Sequence, residues 1–248
     1  MMKLDHIVVF VADLNEASRF FQEKGFHVVP GGSHPMWGTY NVLIYFEACY
    51  IELIAIEHES KFKQAAKQPY TLHETYALNQ RQNGLTRIAC RTQHDTMLAE
   101  TLQGDGFDVH GPERFSRNTP NGEQIFWHLV HVGNSKNRSL PFFINWGMSD
   151  ENRTMQLKEK GLLKQHRNAT VDVAELTLGT TDLESTAHFY ESCHIPITRL
   201  KDSIEVMIDQ KKIVYFENLD DMKIVFTSED TFQPFMFENM RMEGIQVK

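Results

Sequence analysis

The spacing of apolar and polar residues changes several times along the chain, and each change marks an element. Residues 4–11 form an apolar, β-branched run. Asp13 then opens a stretch in which Leu14, Ala17, Phe20 and Phe21 recur at helical spacing. Asp13 is placed to cap the helix start, because its side chain can accept from the free N–H groups of the first turn. Gly25 stands where a left-handed residue ends a helix. A short strand over 26–29 runs into a break at Pro30-Gly31-Gly32, and strands over 39–46 and 50–56 follow, joined by a tight connection at 47–49. Residues 1–56 therefore predict one βαβββ unit.

The same pattern returns twice. An ungapped alignment lays Leu85 on Leu4, Arg87 on His6, Ile88 on Ile7, Leu102 on Phe21, Gly106 on Gly25 and Phe107 on Phe26. This predicts a second unit over 84–147, with its later strands at 124–132 and 140–146. Between the two units, residues 57–83 carry no strand signal and read as a helical connector interrupted at Pro69. A polar segment at 148–170 reads as a second helical linker. Beyond it, Asp182 falls on Asp13, Leu183 on Leu14, Phe189 on Phe20 and Tyr190 on Phe21, and Glu175 takes the place of His6. A third βαβββ-like unit is expected over 171–248, with strands near 204–208, 213–216 and 223–226. Internal repeats outrank local assignments, so the fold class is α+β, built from repeated βαβββ modules with helices on the outer faces of curved mixed sheets.

Composition narrows the functional classes. With 41% apolar and 23% charged residues, the 248-residue chain has the make-up of a soluble globular protein, and no apolar run is long enough to span a bilayer. A net charge of -8 argues against general affinity for nucleic acid, which needs clustered cations. The local basic group Lys158, Lys160, Lys164, His166 and Arg167 is interleaved with Asp150, Glu151 and Glu159, as on a solvated helix face. The opening MMKLDHIVVF has no basic n-region or small-residue cleavage site, and Cys49, Cys90 and Cys193 are far apart with no CxxC spacing. A cytoplasmic protein with reduced thiols is expected.

Strand alternation selects the candidate chemistry. Ile7 and Val9 share one face of the first strand, while His6, Val8 and Phe10 share the other. In the last strand of the unit, Glu52 and Ile54 share a face. If the two strands are neighbours, His6 and Glu52 point together into the concavity of the sheet, where imidazole and carboxylate suit Zn, Ni, Mn or Fe. The alternative is a hydrogen-bonded core histidine. A metal site would need further ligands from His34, His128, His131 or water, because Arg87 replaces the second unit's histidine and its last strand, 140–146, has no carboxylate. Arg87 reads either as a buried partner of Glu52 or as a bidentate clamp for an anionic oxygen. The loop His34-Pro35-Met36-Trp37-Gly38-Thr39-Tyr40-Asn41 offers polar contacts and apolar cover through His34, Trp37 and Asn41, unless it merely turns the chain. Arg114 and Arg117 are either solvated or part of an anion-attracting rim. Other motifs fail: His73-Glu74 is followed by Ala77 where a zincin helix needs histidine, and Asn168-Ala169-Thr170 is a glycosylation signal without a leader.

The βαβββ repeat, His6, the segment from His34 through Gly38, Thr39 and Asn41 to Leu43, and Tyr50-Ile51-Glu52-Leu53 resemble the vicinal oxygen chelate superfamily, and more narrowly its glyoxalase-like domain family. The resemblance covers about residues 4–146. It implies paired modules forming a cleft, often with a divalent metal on His and Glu, that serve isomerases, ring-cleavage dioxygenases, thiol transferases and drug-binding proteins. The expected function is an enzyme of lyase, isomerase or dioxygenase type acting on a small anionic or oxygen-rich metabolite. His6, Glu52 and Arg87 would be catalytic, and His34, Trp37, Asn41 and Arg117 would bind the substrate. The alternative is a binding protein that uses the same cleft without turnover. Because such modules complete a cleft in pairs, the third unit is expected to cover a sheet face or edge against a second chain in a homodimer, or else to pack on the first two.

Overall fold

The computed structural model describes residues 2–47, 49–119 and 122–247. Ala48 of the predicted 47–49 connection, and Pro120 and Asn121 beside the predicted rim arginines, lie outside the described residues.

The first module consists of β1 (Lys3–Phe10), α1 (Leu14–Glu23), β2 (Val29–His34), β3 (Thr39–Phe46) and β4 (Cys49–Ile56). Asp13 caps α1, its carboxylate accepting from Asn15 N at 2.7 Å and Glu16 N at 3.1 Å, and Gly25 takes φ +88° after the last turn. The Pro30-Gly31-Gly32 segment does not break the sheet as expected. It lies within β2, which pairs with β3 across a register shift between Pro30 and Gly32. β2 is an edge strand, where a proline's missing N–H costs no ladder bond and a bulge absorbs the extra residue.

Helices α2 (Glu59–Ala65) and α3 (Leu72–Leu78) form the connector. The second module follows as β5 (Gly84–Arg91), α4 (Asp95–Gly104), β6 (Asp108–Asn118), β7 (Gln124–Gly133) and β8 (Phe142–Asn145). The two modules share one eight-stranded sheet, ordered β2-β3-β4-β1-β5-β8-β7-β6. β1 lies at its centre, parallel to β4 and antiparallel to β5. Both of its faces are covered, which is why nearly the whole strand is buried.

The linker helix α5 (Asp150–Glu159) leads into β9 (Thr170–Thr180), α6 (Leu183–Ser192), β10 (Ile197–Arg199), β11 (Ser203–Ile208), β12 (Lys211–Glu217), β13 (Met222–Ser228), β14 (Phe235–Phe237) and β15 (Met240–Gln246). A second sheet, ordered β10-β11-β12-β9-β13-β15-β14, repeats the pairing of the first. β12 is parallel to β9, β13 antiparallel to β9, β15 parallel to β13, and β14 antiparallel to β15. The expectation for 223–226 is thereby corrected. The third module ends at β12, and β13 to β15 form a reduced fourth module without counterparts of α4 and β6. The third module is paired within its own chain, so counting modules supplies no ground for a homodimer. The fourth module escaped detection because it lacks the helix that carries the repeat signature.

Helices α1, α4 and α6 cover the outer faces of their sheets, and those faces are turned toward each other. One continuous apolar cluster contains Ile7, Phe21, Leu102, Phe143, Val173, Phe189 and Phe226. Rings meet across it, Phe26 with Phe226 at 5.4 Å and Phe143 with Phe189 at 5.7 Å. Cys49 and Cys90 are buried in this region and Cys193 is half-buried, all as free thiols; burial pushes the Cys49 thiol up to about 12. Among the described residues, no helix is long and apolar enough to cross a membrane.

The repeat also exposes a local strain. His194 occupies the place after α6 that Gly25 holds after α1, at φ +57°. It is exposed, so its side chain stabilises little by burial there. His194→Gly is expected to raise stability by about 0.5–1 kcal/mol, as the relief of the left-handed penalty outweighs glycine's greater chain entropy. Urea denaturation midpoints of the two proteins check this.

Candidate functional site

The inner face of the eight-stranded sheet lines a cavity of about 630 Å³. Alternation aims His6 from β1 and Tyr50, Glu52 and Ile54 from β4 into it. His6 and Glu52 meet as expected, with Nε2 3.6 Å from a Glu52 oxygen. His6 also stacks on Tyr50, ring centroids 4.7 Å apart, and meets the edge of Phe142 at 5.5 Å. The other Glu52 oxygen accepts from the Asn41 amide across the β3–β4 ladder.

A second carboxylate completes the line. Asp5 Oδ1 lies 2.7 Å from His6 Nδ1, and Asp5 Oδ2 accepts from Trp146 Nε1 at 3.0 Å. Asp5 is fully buried, which alone would raise its pKa. The His6 hydrogen bond and the charges of Arg153 and Arg91 outweigh burial and hold it below the usual carboxylate value. The ionised Asp5 favours a proton on His6 Nδ1 and leaves Nε2 facing Glu52. Sequence reasoning missed Asp5 because strict alternation sends neighbours to opposite faces. The β1–β5 register slips between Leu4 and His6, and this bulge brings Asp5 round beside its neighbour. The adjacency of the acidic residue to the histidine was the available signal.

The loop residues also converge. His34 hydrogen-bonds Thr39 Oγ1 at 3.1 Å, and Trp37 packs among His34, His73 and Phe115 with centroids 4.8–5.5 Å away. Gly38, at φ +66°, turns the loop so closely over His58 that a Cβ there would meet its carbonyl oxygen at 2.4 Å. Arg117 lines the cavity and donates to the Gly31 carbonyl. His73 and His131, neither assigned to substrate from the sequence, line it too. Burial holds the pKa of each, and of His34, down to about 3, so all three are neutral at physiological pH.

Arg87 requires a correction. Register places it opposite Val8 while His6 is opposite Ala89, so Arg87 is the counterpart of His6 in the second module, and Phe142, beside Ala89, is the counterpart of Glu52 beside Val8. Arg87 is nevertheless not among the residues lining the cavity, nor does it pair with Glu52. Its guanidinium donates to the carbonyls of Tyr70, Leu140 and Val132 and lies over the Phe142 ring at 5.5 Å. Phe142 closes it off from the ligand space. Burial lowers its pKa to about 9, which still leaves it charged at neutral pH.

The donors do not fit a resident Zn, Ni, Mn or Fe ion. Among the described residues, no three His, Cys, Asp or Glu side chains come together to hold one. His6 and Glu52 are two ligands, while the second module offers Arg87 and Phe142 at the matching positions. His34 is engaged by Thr39, His128 lies 3.2 Å from Asp95 outside the cavity, and His131 does not join the pair.

Comparison with known proteins agrees with this architecture. A crystal structure of a hypothetical protein from Staphylococcus aureus is similar over 99% of this chain and 100% of its own, with 22% identity and a TM-score of 0.83. A mutant 4-hydroxymandelate synthase from Streptomyces coelicolor is similar over 92% of this chain and 72% of its own, with 14% identity and a TM-score of 0.50. A methylmalonyl-CoA epimerase from Mycobacterium tuberculosis matches 58% of this chain and 87% of its own, with 19% identity and a TM-score of 0.39. The first two likenesses concern the fold alone. No curated protein matches the sequence. The model of the glyoxalase-like domain matches residues 4–193, from the first strand through the helix of the third module. With its paired βαβββ modules and central β1–β5 seam, the chain belongs to the glyoxalase-like domain family of the vicinal oxygen chelate superfamily.

Proposed function

We propose that this protein is an enzyme of isomerase or lyase type that moves a proton on a small oxygen-rich or anionic metabolite, with His6 and Glu52 as the acid–base pair. The observation that carries this reading is the line Asp5–His6–Glu52 in the cavity. Asp5 at 2.7 Å orients the imidazole, and Nε2 and the Glu52 carboxylate face each other at 3.6 Å. An imidazole and a carboxylate that face one space can serve as base and acid in turn, one removing a substrate proton while the other supplies one. Asn41 fixes Glu52, while His34, Arg117 and the Trp37 cover position the substrate's oxygens and exclude water. None of these steps asks for a third ligand on His6 and Glu52.

A panel of small 2-oxo and 2-hydroxy acids in D₂O tests the reading by proton NMR. Wild type is expected to exchange the carbon-bound proton next to the oxygenated carbon of at least one member. His6→Ala and Glu52→Gln should each slow that exchange by about 100-fold or more, at the lower end of general acid–base contributions. The apolar wall and the replacement of Glu52's counterpart by Phe142 favour a second reading, a binding protein. Acids that raise the melting temperature of wild type without any exchange would establish that second reading and end the first.

A further inference from the structure

Four buried side-chain atoms of residues lining the cavity have no hydrogen-bond partner among the described residues: Asn41 Oδ1, His73 Nε2, His131 Nδ1 and Arg153 Nε. Buried polar atoms are seldom left unpaired, and a cluster of them around one cavity outlines what a ligand must satisfy. The arginine is the most telling. Arg153 sits on the linker helix α5, is only 7% exposed, and lies with its guanidinium carbon 3.5 Å over the Trp146 ring.

The cavity is lined by two other cations, and both are engaged. Arg117 donates to the Gly31 carbonyl, and Lys160 is held by Glu123 at 2.6 Å and 2.8 Å. The guanidinium of Arg153 makes no hydrogen bond and no ion pair among the described residues. The nearby acid, Asp5, already has its two oxygens taken by His6 and the Trp146 indole. Asp5 is near enough for the two charges to act on each other, but a buried cation without a directly paired acceptor is costly, and Trp146 offers only a cation–π contact in exchange. The fork remains free to grip two oxygens at once.

We infer that Arg153 is the carboxylate anchor of this cavity, and that the ligand is a free monocarboxylate with an apolar body. Trp37, Trp127, Leu129, Phe142 and Ile144 supply the wall on which such a body would lie. Neutral His73 and His131 provide the remaining polar contacts without adding charge. The anchor comes from the linker rather than from either module of the first sheet. His166, whose ring takes the His27 N–H at 2.9 Å and approaches the Tyr45 carbonyl at 3.1 Å, ties the end of that linker back to the first module. This inference rests on the cavity being the ligand site, as in the function proposed above, and not on turnover.

Isothermal titration of the full chain, with each acid paired against its primary amide, provides the test. One arm uses linear alkanoates from hexanoate to dodecanoate, and the other uses phenylacetate and phenylpropanoate; the better arm identifies an alkyl or an aryl body. Wild type should prefer acid over amide by about 10-fold or more, the range of a charge-assisted hydrogen bond. Arg153→Gln should abolish the preference by weakening the acid far more than the amide, and Arg153→Lys should restore part of it. Equal binding of acid and amide by wild type, no binding of either series at millimolar concentration, or a preference that survives in Arg153→Gln would each overturn the inference. Because binding is read without turnover, a failure of proton exchange leaves this result standing. Loss of the acid preference, conversely, leaves the His6–Glu52 pair untouched.

Discussion

Replacing Arg87 with alanine is expected to lower stability by about 3–5 kcal/mol, the upper range for truncating a large buried side chain, with the carbonyls it served left short of a donor. The Arg87 side chain reaches from β5 to three carbonyls in three separate segments. Tyr70 lies in the α2–α3 connector at φ +61°, Leu140 precedes β8, and Val132 is the next-to-last residue of β7. Removing the guanidinium leaves these oxygens in a dry interior without donors and opens a void beneath Phe142. Arg87→Lys should recover less than half of the loss, because one ammonium cannot reach three separated carbonyls as a planar fork does. Urea unfolding followed by circular dichroism measures both. A loss below about 1 kcal/mol, accompanied by weakened ligand binding, would reverse this assignment and return Arg87 to the role of a clamp.

Acidification should unfold the protein over a narrow range below about pH 6, where buried neutral histidines begin to oppose the native state. Burial holds His34, His73 and His131 down to about 3, and it holds His166 down to about 4 although the Tyr45 carbonyl partly offsets it. In the unfolded chain each titrates near about 6.5. The folded pKa is the depressed one, and for histidine the favoured folded form is neutral. The native state is therefore fully competitive above the unfolded pKa. As pH falls below it, the unfolded chain takes up protons that the native state refuses until the folded pKa is reached. Each group contributes a slope of up to about 1.4 kcal/mol per pH unit in that window. Four acting together can exhaust a native stability of about 5–15 kcal/mol within a few pH units. Asp5 acts in the same direction further down, since its depressed pKa means stability present above the unfolded carboxylate value and lost as pH falls. Melting temperatures taken from pH 8 to pH 4.5 should drop steeply below about pH 6.5, and His131→Asn should flatten the drop by about one proton's worth. A melting temperature that stays level between pH 7 and pH 5 would contradict the account.

The site and the stabilising core are interleaved in the central strands. β1 carries Ile7 and Val9 toward the helices and His6 and Val8 toward the other face, so the strand that holds the two modules together also presents the His6 imidazole to the cavity. The second sheet keeps the pairing but not the chemistry. Glu175 stands at the place of His6 and is held by Lys212 at 2.6 Å and Lys223 at 3.2 Å. Register gives Lys223, opposite Thr177, the place that Arg87 holds opposite Val8. The same scaffold thus holds the Asp5–His6–Glu52 line in one half and an ion cluster in the other.

Hydrophobic periodicity, with Asp13 and Asp182 at helix starts and Gly25 and Gly106 at helix ends, was enough to place β1, α1, α4 and α6 and to show that the βαβββ pattern returns, because each is a local pattern recurring at fixed spacing; the family was legible in the segment from His34 to Leu43 and in Tyr50-Ile51-Glu52-Leu53. Strand alternation brought His6 and Glu52 to one face only on the condition that β1 and β4 are neighbours, a pairing that the tertiary structure supplies. Only the tertiary structure decided that β13 to β15 form a fourth, reduced module, because strand pairing joins residues far apart and leaves no periodic trace. Only it showed that a bulge turns Asp5 to His6, that Phe142 shuts Arg87 away from the ligand, and that Arg153 reaches in from the linker. In each case the aim of a side chain depends on which distant carbonyls, rings and carboxylates surround it, and those neighbours exist only once the chain has folded.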